Sequence, residues 1–287
     1  MKNDMPSVTA LRAGMARARH QLIDGGRVFK DPLALPILGP ELAAQITRDP
    51  HAENIVARAL RTPLVARSRL CEDTALAAIA RGATQVVVLG AGLDTFAYRR
   101  PAAAAAVRVF ELDHPATQAW KRVRLDEAGI AVPESVRFVP VDLERDPLPV
   151  ALHGAGFDPA QPTVFSWLGV VVYLPKDVVM ETLRTLRELG APGSVVVFDY
   201  VNAPGPFSLH RRAVLAWLRR RFAKMGEPWR SFYDGGELAG ELRAMGYLAV
   251  EDLQPDDILR QLYPGPEEQV PHRRGGRRFG GVMRAWM

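Results

Sequence analysis

The chain has 287 residues, 48% hydrophobic and 24% charged, an ordinary balance for a globular enzyme. A single cysteine, Cys71, excludes an internal disulfide and argues against a cysteine-based zinc site; no metal is expected. The net charge of +5 includes Arg219-Arg220-Arg221 and Arg273-Arg274 with Arg277-Arg278, but 32 acidic residues are interspersed, so these clusters are solvated surface and no nucleic-acid partner is expected.

In chain order, apolar spacing over residues 7–22 predicts a helix capped by Ser7 or Thr9, followed by a turn at Asp24-Gly25-Gly26. Asp31-Pro32 has the form of an N-cap followed by proline at N1, which predicts a second helix. Residues 53–80 are helical in pattern, with a break expected near Thr62-Pro63. Residues 1–80 therefore form a helical extension ahead of a main domain over 81–287. No stretch within them combines basic residues, an apolar core and a cleavage site, so secretion is not expected, and the longest apolar run, residues 163–174, is too short for a membrane span of about 20 residues. A reducing cytoplasm is the expected location.

Val86 to Leu89 then enters a turn containing Gly90, Ala91, Gly92 and Asp94, the form of a buried parallel strand ending at a nucleotide. A dinucleotide fingerprint needs a third glycine where this chain has Thr95, so the turn suits a nucleoside without a pyrophosphate. S-adenosyl-L-methionine is the leading candidate. The next strand, residues 107–113, ends in Glu111 and Asp113, and Asp113 stands 21 residues beyond Gly92, the distance of a ribose-binding carboxylate. A third strand, 136–141, runs into Asp142-Leu143, an acid for the adenine amine and an apolar face for its ring.

Residues 162–167 and 194–200 are the fourth and fifth strands, separated by an amphipathic helix over 176–189 that Gly190 closes. Helices over 207–224 and 237–244 precede two closing strands, 247–253 and 279–286, the last weakened by Gly280-Gly281. The fold class is α/β: a doubly wound, Rossmann-like, mostly parallel sheet of seven strands with helices on both faces. Residues 202–234, rich in aromatic and basic side chains (Phe207, His210, Trp217, Phe222, Trp229, Phe232, Tyr233), form either a lid over the substrate or part of the core.

With these residues in view, the chain resembles the leucine carboxyl methyltransferase family, in particular its bacterial branch of small-molecule O-methyltransferases of the polyketide-tailoring and mycobacterial type. The resemblance spans nearly the whole length. It is carried by Arg17-Ala18-Arg19-His20, Asp31-Pro32-Leu33-Ala34, Val65-Ala66-Arg67-Ser68-Arg69, the turn from Leu89 to Thr95, Phe110-Glu111-Leu112-Asp113, Val141-Asp142-Leu143, the run Gly169 to Pro175, and Glu227-Pro228-Trp229. It implies a class I methyltransferase with S-adenosyl-L-methionine as cofactor. Arg67 would pair with the methionine carboxylate, with Arg17 as a second positive contact; Gly90 and Gly92 would let backbone approach, Asp113 take the ribose, and Asp142 with Leu143 the adenine. One departure stands out: many relatives carry glutamate where this chain has Leu168, so Leu168 or Trp167 packs there instead.

A carboxylate acceptor needs no general base, whereas a hydroxyl benefits from one. His20, Tyr173 and Tyr200, the last beside Asp199, are the candidates. The expected activity is methylation of a carboxylate or hydroxyl on a small molecule, polyketide-like or another secondary metabolite. A nicotinamide-dependent oxidoreductase and a non-catalytic cofactor-binding module are the alternatives.

Overall fold

A computed structural model describes residues 7–203, 209–224, 226–262 and 280–287. The elements are α1 (Val8–Ile23), α2 (Pro40–Arg48), α3 (Ile55–Ala80), β1 (Gln85–Leu89), α4 (Phe96–Arg99), β2 (Arg108–Asp113), α5 (Pro115–Glu127), β3 (Val136–Pro140), α6 (Leu148–Gly154), β4 (Thr163–Trp167), α7 (Lys176–Leu189), β5 (Val195–Val201), α8 (Leu209–Lys224), α9 (Gly235–Ala244), β6 (Ala249–Leu253), α10 (Pro255–Leu262) and β7 (Gly280–Trp286). Phe207, Arg273, Arg274, Arg277, Arg278 and Phe279 lie outside the described residues, as does the side chain of His210.

The strands form one seven-stranded sheet of order β3-β2-β1-β4-β5-β7-β6, parallel except for β7, which is antiparallel to both its neighbours. β1 is continuously apolar because both its faces are covered. Val87 and Leu89 join a core with Phe110, Phe165, Trp167 and Leu183. Val86 and Val88 point the other way, to a core shared with Val65 and Leu70 of α3 and Ile258 of α10. The expected α/β class, a mostly parallel sheet of seven strands ending in two closing strands, is present.

Two local expectations fail, each for a physical reason. α3 runs unbroken through Pro63; a proline forfeits a backbone hydrogen bond there, but packing against α1 and α10 keeps the helix in one piece. Asp31-Pro32 opens a turn rather than a helix. Asp31 Oδ1 accepts the Leu33 N–H at 3.2 Å, while Oδ2 is taken by Arg17 and Thr95; α2 starts only at Pro40, after Gly39. The amphipathic α10 was not anticipated. Gly280-Gly281 sits inside β7 because a Cβ at position 280 would run into the Tyr200 carbonyl oxygen of β5.

Candidate active site

A cavity of about 420 Å³ opens over the C-terminal ends of β1, β2 and β4. The strand order reverses between β1 and β4, the place where doubly wound sheets bind ligands. Of the expected cofactor residues, Arg17, Arg67, Gly90, Ala91, Asp94, Asp113, Asp142, Leu143 and Leu168 line it. Gly92 does not, but its N–H holds a lining residue.

That turn has the backbone geometry its glycines suggest. Gly90 and Gly92 have φ of +67° and +45°, a region side chains disfavour. The Gly92 N–H donates to Asp113 Oδ2 at 2.6 Å, and the His114 N–H to Oδ1 at 2.7 Å, so the carboxylate is fixed by backbone on two sides. Burial nevertheless pushes the Asp113 carboxyl above its ordinary range, against those two hydrogen bonds. Glu111, two residues earlier on β2, is not part of the site. It is buried, 2.6 Å from Lys121 Nζ, and accepts the Tyr98 hydroxyl at 2.9 Å.

Thr95, at the missing third glycine, has a structural task. Its hydroxyl donates to Asp31 at 2.8 Å and accepts from Arg99 Nε at 2.8 Å. Asp31, fully buried, also receives Arg17 Nε at 3.0 Å. Arg17 Nη2 donates to the Leu93 carbonyl at 2.5 Å. Arg17 therefore fastens α1 to the glycine turn, and its guanidinium is already engaged.

Arg67 reaches the cavity from α3. Its Nη1 pairs with Asp199 of β5, whose other oxygen accepts the Gly169 N–H at 2.5 Å. Arg67 Nε is buried without a hydrogen-bond partner. A carboxylate ligand suits such a donor, because guanidinium binds carboxylate through parallel N–H groups. At the other end, Asp142 Oδ1 accepts the Glu144 N–H at 3.0 Å beside the apolar Leu143. One free donor on Arg67, a carboxylate pinned by backbone and positive-φ glycines together fit a nucleoside joined to an amino acid.

The segment after α8 borders the cavity. Glu227, buried, accepts the Ser7 hydroxyl at 2.7 Å, the Thr9 N–H at 2.9 Å and the Thr9 hydroxyl. Arg230 pairs with Glu144 at 2.7 Å, and its N–H donates to the Val172 carbonyl at 2.7 Å. None of the described aromatic residues of 202–234 lines the cavity. Phe222 and Trp229 stack at 4.8 Å in a cluster with Val172, Leu215 and Leu218; Tyr233 belongs to the main core, and Trp217 is exposed. The stretch touches the cavity through Gly226, Glu227, Pro228 and Arg230. Glu227 was legible only as part of a family motif, without a role.

The three candidate bases separate. His20 is buried away from the cavity: Nδ1 lies 2.9 Å from Asp24, and Nε2 faces the N–H groups of Val28 and Phe29 at 3.3 Å. Tyr200 is buried too, donating to Asp252 at 2.8 Å and accepting from Gln254 at 3.2 Å. Neither lines the cavity, because both rings are consumed in holding secondary structure together. Tyr173 does line it. Burial pushes the Tyr173 phenol up to about 12, with the Thr9 and Trp229 side chains pulling the other way.

Fold and cavity together define a class I methyltransferase. The chain belongs to the leucine carboxyl methyltransferase family, whose description, Leucine carboxyl methyltransferase, matches residues 10–187. It is 32% identical over 281 residues to YktD of Bacillus subtilis, covering 90% of this chain and 91% of that protein; the name of YktD places it among S-adenosyl-L-methionine-dependent methyltransferases. A protein of Mycolicibacterium paratuberculosis with the same kind of name is 34% identical over 246 residues, covering 81% of this chain and 75% of that one. A crystal structure of a DUF574 family protein from Streptomyces avermitilis shares the fold, with a TM-score of 0.55 at 18% identity over 94% of this chain and 96% of that one. The protein is an S-adenosyl-L-methionine-dependent methyltransferase. Among the described residues, no helix is long and apolar enough to cross a membrane.

Proposed function

We propose that the protein transfers the methyl group to an oxygen, the carboxylate or hydroxyl of a small molecule such as a polyketide-like secondary metabolite. Tyr173 carries this reading. Of His20, Tyr173 and Tyr200 it alone lines the cavity, and burial keeps its phenol neutral up to about 12. A neutral phenol orients an acceptor by hydrogen bonding but does not remove a proton at ordinary pH, which favours an acceptor already ionised, a carboxylate above all.

In this reading Asp113 holds the ribose hydroxyls, Asp142 and Leu143 the adenine, and Arg67 the terminal carboxylate. The cofactor, when bound, supplies an electrophilic methyl on a sulfonium. The protein contributes orientation: a near-attack arrangement is worth about 7–11 kcal/mol of barrier. The described part of residues 1–80 serves as a cap and that of 202–234 as the lid, with Glu227 and Arg230 as the lid's contacts. The lone, buried Cys71 suits a reducing cytoplasm.

Calorimetric titration with S-adenosylhomocysteine and with NAD tests the cofactor. Only the former should bind, and Arg67→Ala should weaken it at least tenfold without unfolding the chain. NAD binding alone would favour an oxidoreductase. A screen of carboxylates, phenols and amines with labelled methyl donor then tests the acceptor; methylation only on nitrogen would reject the oxygen reading.

A further inference from the structure

Asp199 stands behind the cavity wall at its Arg67 end, held by two residues that line it, Arg67 and Gly169. β4 and β5 run in parallel register as far as Trp167 beside Phe198; Asp199 and Leu168 are the residues that follow that last pair, and Leu168 gives the cavity an apolar wall. The two Asp199 oxygens are held by groups that line the cavity, the Gly169 N–H at 2.5 Å and Arg67 Nη1. The two side chains are 16% and 19% exposed, so the pair is neither sealed in the core nor dispersed in solvent. Arg67 Nε remains buried and unpartnered. An ion pair with an unused donor, at the border of a cavity, is half of a recognition unit.

The geometry points to Asp199 as the receptor for the ammonium of the cofactor's amino-acid end, acting with Arg67 as a matched pair for a zwitterion. This rests on the reading of the cavity as the S-adenosyl-L-methionine site. An ammonium taken out of water needs an opposite charge, and Leu168 offers none. A zwitterion docked on an ion pair gains two opposite-charge contacts and leaves no net charge buried, which avoids the usual penalty for desolvating ions. The rival carboxylate is Asp94, which lines the cavity from the glycine turn and accepts the Phe96 N–H at 2.8 Å.

Calorimetry on three ligands decides between them: S-adenosylhomocysteine, its analogue with the amino group replaced by hydrogen, and 5′-methylthioadenosine, which lacks the amino-acid end. The natural chain should prefer S-adenosylhomocysteine over the desamino analogue on the order of tenfold to a hundredfold. Asp199→Asn should erase that preference, Asp94→Asn should keep it, and 5′-methylthioadenosine should bind all three proteins alike. Equal weakening of the first two ligands in Asp199→Asn would reduce Asp199 to a residue that positions Arg67. Loss of the preference in Asp94→Asn instead, or no preference in the natural chain, overturns the assignment. If Asp199→Asn does not bind 5′-methylthioadenosine, Asp199→Ser takes its place in the same comparison. Failure of the natural chain to bind any of the three would sink the cofactor reading itself.

Discussion

Thr95 donates its hydroxyl to Asp31 at 2.8 Å, joining the turn after β1 to the loop after α1. The same carboxylate takes Arg17 Nε at 3.0 Å and lies 3.2 Å from Arg99 Nε, and none of it reaches solvent. Two guanidiniums around one buried carboxylate depend on it: removing the acid leaves their charges uncompensated. Asp31→Ala is expected to cost about 3–5 kcal/mol of folding stability. Thr95→Ala, which removes one hydrogen bond to a charged group, should cost about 1–3 kcal/mol. Urea unfolding measures both, and a loss below about 1 kcal/mol for Asp31→Ala would show that the cluster does not anchor α1.

Much of this was legible in the sequence because it depends on local pattern. Val86 to Leu89 followed by Gly90 and Gly92 specifies a buried strand and a positive-φ turn, and Asp113 and Asp142 lie where parallel strands end. What stayed hidden depends on partners distant in the chain. The pairing of Asp199 with Arg67 spans 132 residues and that of Thr9 with Glu227 spans 218, separations that no periodicity encodes. His20 and Tyr200 misled for the same reason: a titratable side chain looks available until its long-range neighbours are known. Pro63 shows the converse, a local rule overridden by tertiary packing.

Glu227 sets a carboxylate against the first turn of α1, where it accepts from Ser7 and Thr9. Negative charge is favourable at a helix N-terminus, so this contact ties the order of α1 to the segment that borders the cavity. Glu227→Ala should destabilise the chain by about 1–3 kcal/mol. It should also speed hydrogen exchange at the Thr9 amide before the sheet amides respond. Unaltered protection at Thr9 would mean that the helix start is held by other contacts.

The His20 imidazole predicts a pH dependence. With Val28 and Phe29 N–H groups facing Nε2, the proton belongs on Nδ1, toward Asp24. Burial lowers its pKa below the ordinary 6.5, with the Asp24 hydrogen bond opposing. Below pH 6.5 the unfolded chain therefore binds a proton that the folded chain resists. Stability should fall as pH drops from 6.5 toward the folded value and level off beneath it. His20→Gln, which cannot titrate, should flatten this part of the curve. An identical slope in the variant would place the dependence elsewhere.

Cys71 offers a probe of opening near the cavity. It is buried on α3, its thiol donates to the Ser166 hydroxyl at 3.2 Å, and Ser166 lines the cavity. Burial pushes the thiol up to about 12, so the reactive thiolate is scarce at neutral pH and a reagent must wait for the structure to open. Labelling by a disulfide reagent is therefore expected to be slow in the folded protein and fast in urea. S-adenosylhomocysteine at 100 times its dissociation constant adds about 2.7 kcal/mol to the folded state. If opening must release the ligand, labelling should slow by about a hundredfold. Rapid labelling of the native protein would contradict the burial of Cys71, and a rate indifferent to ligand would show that the opening which exposes Cys71 leaves the cavity intact.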